Sequence, residues 1–199
     1  MNEAEPDNLR VYTIGHSNHP IDVFLGLLAR HGIEVLVDTR SSPFSRYAPQ
    51  FNRDALKASA EGAGVRYGFW GRHLGGRPDD EALYDADGHV LYGEVAKTFL
   101  FNDGLERLLA GIEKRRTVLL CSEENPSICH RRLLVGWVLF DSGVSVYHIR
   151  ADGSVESEAD LRRTESRQTS LFEEELSTPT WKSSQSVLRK APPPTFSDD

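Results

Sequence analysis

The chain predicts an α/β protein in three layers, a mainly parallel sheet of about five strands flanked by helices, with a disordered C-terminal tail. Three observations carry this reading. Short apolar runs rich in β-branched and aromatic residues recur along residues 11–149. Between them lie stretches whose apolar residues repeat at helical spacing. Beyond residue 162 the composition turns polar and ends in APPPTFSDD, which buries too little surface to offset its ordering entropy.

Residues 11–14 (VYTI) form the first predicted strand. A helix follows over 20–30, with Val23, Phe24, Leu27 and Leu28 on one side, and His31-Gly32 stops it before the second strand, 34–38 (EVLVD). The next helix spans 52–61, and Gly62-Ala63-Gly64 ends it ahead of the third strand, 65–69 (VRYGF). Residues 70–93 carry Gly71, Gly75, Gly76, Pro78, Asp85 and Gly88 and predict a long ordered loop or lid with short helical turns. A helix over 102–114 places Leu105, Leu108, Leu109 and Ile112 on one face. Arg115-Arg116 give it a basic last turn before the fourth strand, 117–121 (TVLLC). The last helix, 128–140, stops at Ser142-Gly143 and leads into the fifth strand, 144–149 (VSVYHI). Residues 1–162 thus form one domain and 163–199 a mostly disordered tail.

With 199 residues and 39% apolar content, the chain can bury one sizeable core but not two. No apolar run reaches the ~18 residues of a membrane span, and the opening MNEAEPDNLR lacks the regions of a signal peptide. A cytoplasmic protein without membrane contact is expected, and its two cysteines stay reduced, free to be nucleophiles, ligands or core. The net charge of -7 argues against a basic surface for gripping nucleic acid, but much of the acid excess sits in 151–199, which leaves room for a local basic pocket.

In an open parallel sheet, ligands sit beyond the carboxyl ends of the strands. Three of those ends are polar here. The first offers Gly15, His16, Ser17 and Asn18; the second Asp38, Arg40, Ser41, Ser42, Ser45 and Arg46; the fourth Cys121, Ser122, Glu123, Glu124 and Asn125, then Cys129, His130 and Arg131. In a parallel sheet all three face one crevice. Arg40, Arg46, Arg77 and Arg131 suit an anion or phosphate, with Ser17, Asn18, Asp38 and Tyr92 as further substrate contacts. Asp38 reads chiefly as a partner for Arg40 or Arg46, alternatively as a catalytic carboxylate. Tyr67, Trp70 and Tyr92 either stack a base or pack. No GxGxxG or Walker sequence is present, and no cofactor is predicted.

Cys129 admits two readings. Asn125, Pro126 and Ser127 suit a helix start, which puts Cys129 in its first turn, where the dipole and Arg131 favour a reactive thiolate. Alternatively Cys129, Leu133, Trp137 and Phe140 form a core stripe. Cys121 is a buried thiol or a nucleophile displayed at the strand end. No metal is predicted: seven residues between the cysteines do not match a zinc knuckle, and Cys129 and His130 would point about 100° apart on a helix. His16 is a turn or core hydrogen-bonder or an acid–base group, and His130 is a further acid–base candidate. One of Glu123 and Glu124 serves as acid or base.

The segments TIGHSN (13–18), DTRSSPFSR (38–46), LGGR (74–77) and CSEENPSICHR (121–131), followed by VSVYHI, resemble the bacterial and archaeal family called domain of unknown function 488. The resemblance spans residues 11–149 and implies a fold and an active site at these motifs, with no settled reaction. Proteins similar to this usually read DVR where this chain has Asp38-Thr39-Arg40. Glu123 stands at the glutamate of the last motif, which favours it over Glu124.

In the tail, Gln168, Thr169, Ser170, Leu171 and Phe172 resemble the pentapeptide that binds the bacterial DNA sliding clamp, with Thr169 in place of the usual Leu. The alternative is a capping box of Ser170 and Glu173 that starts a small helix. Three functions then compete. The first is an enzyme, hydrolase or transferase, acting on a nucleotide, nucleobase or damaged DNA in a repair setting, with Glu123, His16 or His130 and a cysteine as its chemistry. The second is a non-catalytic nucleotide or DNA module recruited to the clamp. The third is a repair protein whose Cys129 accepts an alkyl group, because Cys-His-Arg also occurs in alkylguanine-DNA alkyltransferases.

Overall fold

The computed structural model describes residues 9–170 and 180–186. Leu171 and Phe172 of the tail peptide lie outside the described residues, as does the side chain of Gln168. The five predicted strands are β1 (Arg10–Gly15), β2 (Val35–Asp38), β3 (Arg66–Phe69), β4 (Thr117–Cys121) and β5 (Ser145–Ile149). A sixth, β6 (Val155–Ser157), escapes the sequence pattern because it is three residues long and only Val155 is apolar. The order is β3-β2-β4-β1-β5-β6, with the first five parallel and β6 antiparallel to β5. β4 therefore lies between β2 and β1, and the three polar strand ends are neighbours.

Alternation along the strands divides the core between two helical layers. Tyr12, Ile14, Leu36, Val118 and Leu120 pack on one face with Phe24 and Leu28 of α1 (Ile21–Arg30) and Leu56 of α2 (Arg53–Gly62). The predicted loop of 70–93 is more structured than expected: it holds α3 (Gly71–Leu74), a 3-10 turn at Glu81–Leu83, a bridge between Tyr84 and Val90, and the start of α4 (Tyr92–Val95). α5 (Phe99–Ile112) begins three residues before its apolar pattern, because the Thr98 side chain accepts the Phe101 N–H and caps it. Val11, Val37 and Leu119 face α5 and the helical segment after β4.

That segment is not the single α-helix predicted over 128–140. A 3-10 turn at Pro126–Ile128 is followed by Cys129 in an extended conformation (φ -112, ψ 138), a π-helix over Arg131–Gly136, and α6 (Trp137–Asp141). π-Helical turns are rare and gather at functional sites.

Within 163–199, where the sequence predicts mostly disorder, the described pieces take defined positions. α7 (Glu158–Ser170) continues past residue 162 and sinks Glu158 into the core. Residues 180–186 lie along the body. Trp181 stacks on Trp137 at 5.9 Å and donates its indole N–H to Leu133 O at 2.7 Å. Ser183 donates its backbone N–H to Val90 O at 2.8 Å and accepts the Val90 N–H on Oγ.

Candidate active site

A cavity of about 310 Å³ opens beyond the carboxyl end of β4. Its floor is Cys121, Glu123, Cys129 and His130; its rim includes Arg40, Ser41, Ser42, Phe44 and Arg77 on one side and Ile128, Ser183, Ser184 and Gln185 on the other, with Tyr92 between. Placing Cys121 there needs the loop after β4 to fold back over β1, and Gly15 permits it. A Cβ on Gly15 would sit 1.8 Å from Glu123 O, a backbone atom with no room to yield. The loop is fixed by the His16 N–H on Cys121 O and the Ser17 N–H on Ser122 O, both 2.9 Å, with Ser17 in the left-handed region at φ 47.

Arg131 holds the same loop from beneath, and this corrects its expected role as an anion clamp. Its side chain is fully buried. It donates to Glu123 O and Glu124 O, the latter at 2.6 Å, and from Nε to Thr13 Oγ1 at 3.3 Å. A guanidinium committed to buried carbonyls cannot also meet a ligand.

On the floor, Glu123 Oε2 accepts from the Cys121 thiol at 2.8 Å and from the Cys129 thiol at 3.2 Å. Much of Glu123 remains exposed while this one oxygen turns inward. Burial works against its charge, but the thiol and backbone hydrogen bonds outweigh burial and bring its pKa down to about 2. His130 Nδ1 lies 3.5 Å from the Cys121 sulfur and 4.0 Å from that of Cys129, while Nε2 faces Thr39 O at 3.1 Å. Thr39 O can only accept, so Nε2 carries the proton and, in the neutral ring, Nδ1 presents its lone pair to the sulfurs. The ring rests on Gly76, where a Cβ would come within 2.5 Å of it. Burial opposes the charge of His130, yet Cys129, Glu123 and the Thr39 carbonyl together raise its pKa. Burial first, then Cys121, pushes the Cys129 thiol well up. Cys129 is thus neither a dipole-activated thiolate in a first helical turn nor part of a helical core stripe, because it sits in extended backbone ahead of the π-helix.

The remaining predicted residues divide. Arg40 lines the cavity but is matched by Asp38: Nε and NH2 bind the two carboxylate oxygens at 2.8 and 2.6 Å, and Tyr67 OH donates to Oδ2 at 2.7 Å. Asp38 is fully buried and anchors Arg40, as its pairing role predicts. His16 has both ring nitrogens committed. Nδ1 donates to Ser17 O at 2.7 Å, Nε2 accepts from Arg40 NH1 at 3.1 Å, and the ring stacks on Phe51 at 4.3 Å. Burial, aided by Arg40, lowers its pKa to about 4 despite the Ser17 contact. It positions Arg40 and does not reach the cavity, and Ser17 and Asn18 do not line it either. Arg46 is exposed on the loop before α2, outside the cavity. Arg77 does line it, exposed and paired with no carboxylate among the described residues. Tyr92 is buried in the wall. Of the predicted stacking faces, Tyr67 is held by Asp38 and Trp70 lies under Arg107, away from the cavity.

Sequence reasoning missed Phe44, which is 69% exposed at the rim, and the strap of Ser183, Ser184 and Gln185. The signal for Phe44 is an aromatic inside the polar run DTRSSPFSR. It also missed a buried relay behind the floor. Glu158 Oε2 accepts from His148 Nε2 at 2.9 Å and from Arg132 Nε at 2.7 Å; His148 Nδ1 faces Thr13 Oγ1 at 2.8 Å; and Thr13 in turn accepts from Arg131.

Neither the curated proteins nor the solved structures returned a match to this chain. A family model does match, over residues 20–138, and it takes in three of the four motifs, DTRSSPFSR, LGGR and CSEENPSICHR, whose residues meet in the cavity. On that match, which spans more than half of its length, the chain belongs to the family described as Domain of unknown function DUF488.

Proposed function

We propose that the protein is an enzyme, a hydrolase or transferase, acting on a nucleotide, nucleobase or damaged DNA, in a DNA-repair setting. One observation carries the reading: two thiols, a carboxylate and an imidazole converge on the floor of an open polar cavity. Structural cysteines pack among apolar side chains, whereas these face polar groups and a ligand-sized space. The rim fits the substrate class. Arg77, exposed and paired with no carboxylate among the described residues, offers a guanidinium for phosphate, Ser41 and Ser42 offer hydroxyls, and Phe44 and Ile128 offer apolar faces to a base. Glu123 is the proton acceptor and His130 the second proton-handling group. The alkyl-acceptor reading needs an accessible sulfur, and Cys129 is 2% exposed.

Turnover screening with nucleotides, nucleosides and lesion-bearing oligonucleotides tests the proposal. Glu123→Gln and His130→Gln should each lower kcat by about 100-fold or more, and Arg77→Ala should raise KM for phosphate-bearing substrates about tenfold. Unchanged rates in Glu123→Gln and His130→Gln would return the cavity to a binding role. The tail sequence around Leu171 and Phe172 supports recruitment to the sliding clamp, which would bring such an enzyme to newly made DNA.

A further inference from the structure

We propose that Cys121, Cys129 and His130 bind a zinc-class divalent cation on the cavity floor, with Glu123 beside it to take a proton from a water in the fourth position. The binding stands on geometry alone; the use of that water rests on the enzymatic reading above.

Each thiol has one proton, and both protons are directed at Glu123 Oε2. In the tautomer set by Thr39 O, the neutral His130 ring turns its Nδ1 lone pair toward the two sulfurs, at 3.5 and 4.0 Å. With both thiols ionised, the two sulfurs and this nitrogen form a converging donor set whose charge a divalent cation neutralises. Their ligand atoms all fall within 4.8 Å of one another. Zinc at about 2.3 Å from sulfur and about 2.0 Å from nitrogen, with tetrahedral angles, sets sulfur and nitrogen about 3.5 Å apart. The observed separations are close to this.

The surroundings match as well. A histidine that ligates through one nitrogen usually donates its other N–H to a carbonyl or carboxylate, and Nε2 faces Thr39 O at 3.1 Å. Thiolate and imidazole donors select zinc over magnesium or calcium. The sequence objection was that Cys129 and His130 diverge on a helix. It fails because the two residues are not on one regular helix, Cys129 being extended (φ -112, ψ 138), and their ligand atoms lie within 4.8 Å of each other. Three protein ligands with an open position toward a cavity are the pattern of a catalytic zinc, while structural zinc closes all four positions. Zinc held there would lower the pKa of a water in the open position, and Glu123 would accept that water's proton.

The test is elemental analysis of the reduced full chain after zinc loading and exchange into metal-free buffer, with cobalt substitution in parallel. The expected result is about one zinc per chain and a cobalt spectrum with thiolate charge-transfer and tetrahedral ligand-field bands. Cys121→Ser, Cys129→Ser and His130→Gln should lose at least tenfold in affinity, whereas Glu123→Gln keeps the metal. Should a cysteine variant fail to fold, the cobalt spectrum of the wild type and its loss on thiol alkylation carry the same decision. A wild-type chain that holds no zinc and gives no thiolate–cobalt band overturns the proposal, as does a Cys121–Cys129 disulfide in its place. A chain that binds zinc but turns over no substrate overturns the enzymatic reading alone; equal turnover with and without bound zinc overturns the catalytic use of the water and leaves the metal site, which the elemental analysis decides.

Discussion

Replacing Glu158 by Ala should destabilise the protein by about 3–5 kcal/mol, the range for breaking a buried ion pair. The carboxylate accepts from His148 Nε2 at 2.9 Å, Arg132 Nε at 2.7 Å and Arg162 Nε at 3.0 Å. These partners differ in what they lose. Arg132 keeps two bonds to Glu165, each 2.8 Å, and Arg162 is 29% exposed and still reaches Asp141. The His148 N–H and the Arg132 Nε–H have no such recourse, because both side chains are fully buried. Leaving buried donors unsatisfied costs about 1–3 kcal/mol each, more when charged, which agrees with that range. For a chain of this length the melting temperature should fall by about 6–20 °C. Urea unfolding followed by circular dichroism at neutral pH measures it, and a loss under about 1 kcal/mol, the scale of surface ion pairs, would refute the reasoning. The pH dependence adds a second check. Burial, only partly offset by Glu158, lowers the pKa of His148 below 6.5. Burial opposes the Glu158 charge, but bonds from His148 and Arg132 outweigh it and lower its pKa below 4.5. The folded state therefore favours neutral His148 and ionised Glu158. Their contributions are complete above 6.5 and 4.5, respectively, and are lost as pH falls through each folded value. Glu158→Gln should flatten the lower slope and leave the His148 slope in place.

Gly15→Ala should cost about 3 kcal/mol in thermal unfolding, the upper end of overpacking, because the new methyl meets backbone at 1.8 Å. Gly26→Ala, in α1 with nothing within 4 Å, should instead stabilise by about 0.5–1 kcal/mol, and equal effects at the two sites would refute the steric argument. Trp181→Ala removes the stack on Trp137 and the bond to Leu133 O; about 2–3 kcal/mol should be lost and tryptic cleavage after Lys182 accelerated, whereas an unchanged cleavage rate would deny the strap its anchor. Leu171→Ala combined with Phe172→Ala should weaken binding to purified sliding clamp at least about tenfold in surface plasmon resonance, and equal binding would remove that partner.

The sheet was legible because buried parallel strands read as apolar runs, and VYTI, EVLVD, VRYGF, TVLLC and VSVYHI are all observed in place. The neighbouring strand ends, and with them Cys121, Glu123, Cys129, His130 and Arg40 in one cavity, follow from that legibility. What failed was direction. Apolar residues over 128–140 repeat at helical spacing, and that periodicity does not reveal the extended backbone at Cys129 or the short π-helical segment over Arg131–Gly136, so it cannot place Cys129 relative to His130. Polar contacts within the loop decide it: the Asn125 side chain accepts the Ser127 N–H, Pro126 starts a 3-10 turn, and the Arg131 guanidinium is drawn to the carbonyls of Glu123 and Glu124. Arginine is ambiguous for a related reason. A guanidinium fork suits phosphate and a cluster of buried carbonyls equally, and only burial separates Arg131 from Arg77. The adjacent Arg131 and Arg132 show what that ambiguity concealed. One grips the loop that carries Glu123, the other grips Glu158 of α7, and Thr13 with His148 joins the two through hydrogen bonds. The cavity floor is therefore fixed from behind by charge that the sequence had assigned to its front, so a change at Glu158 should reach the thiols without touching them.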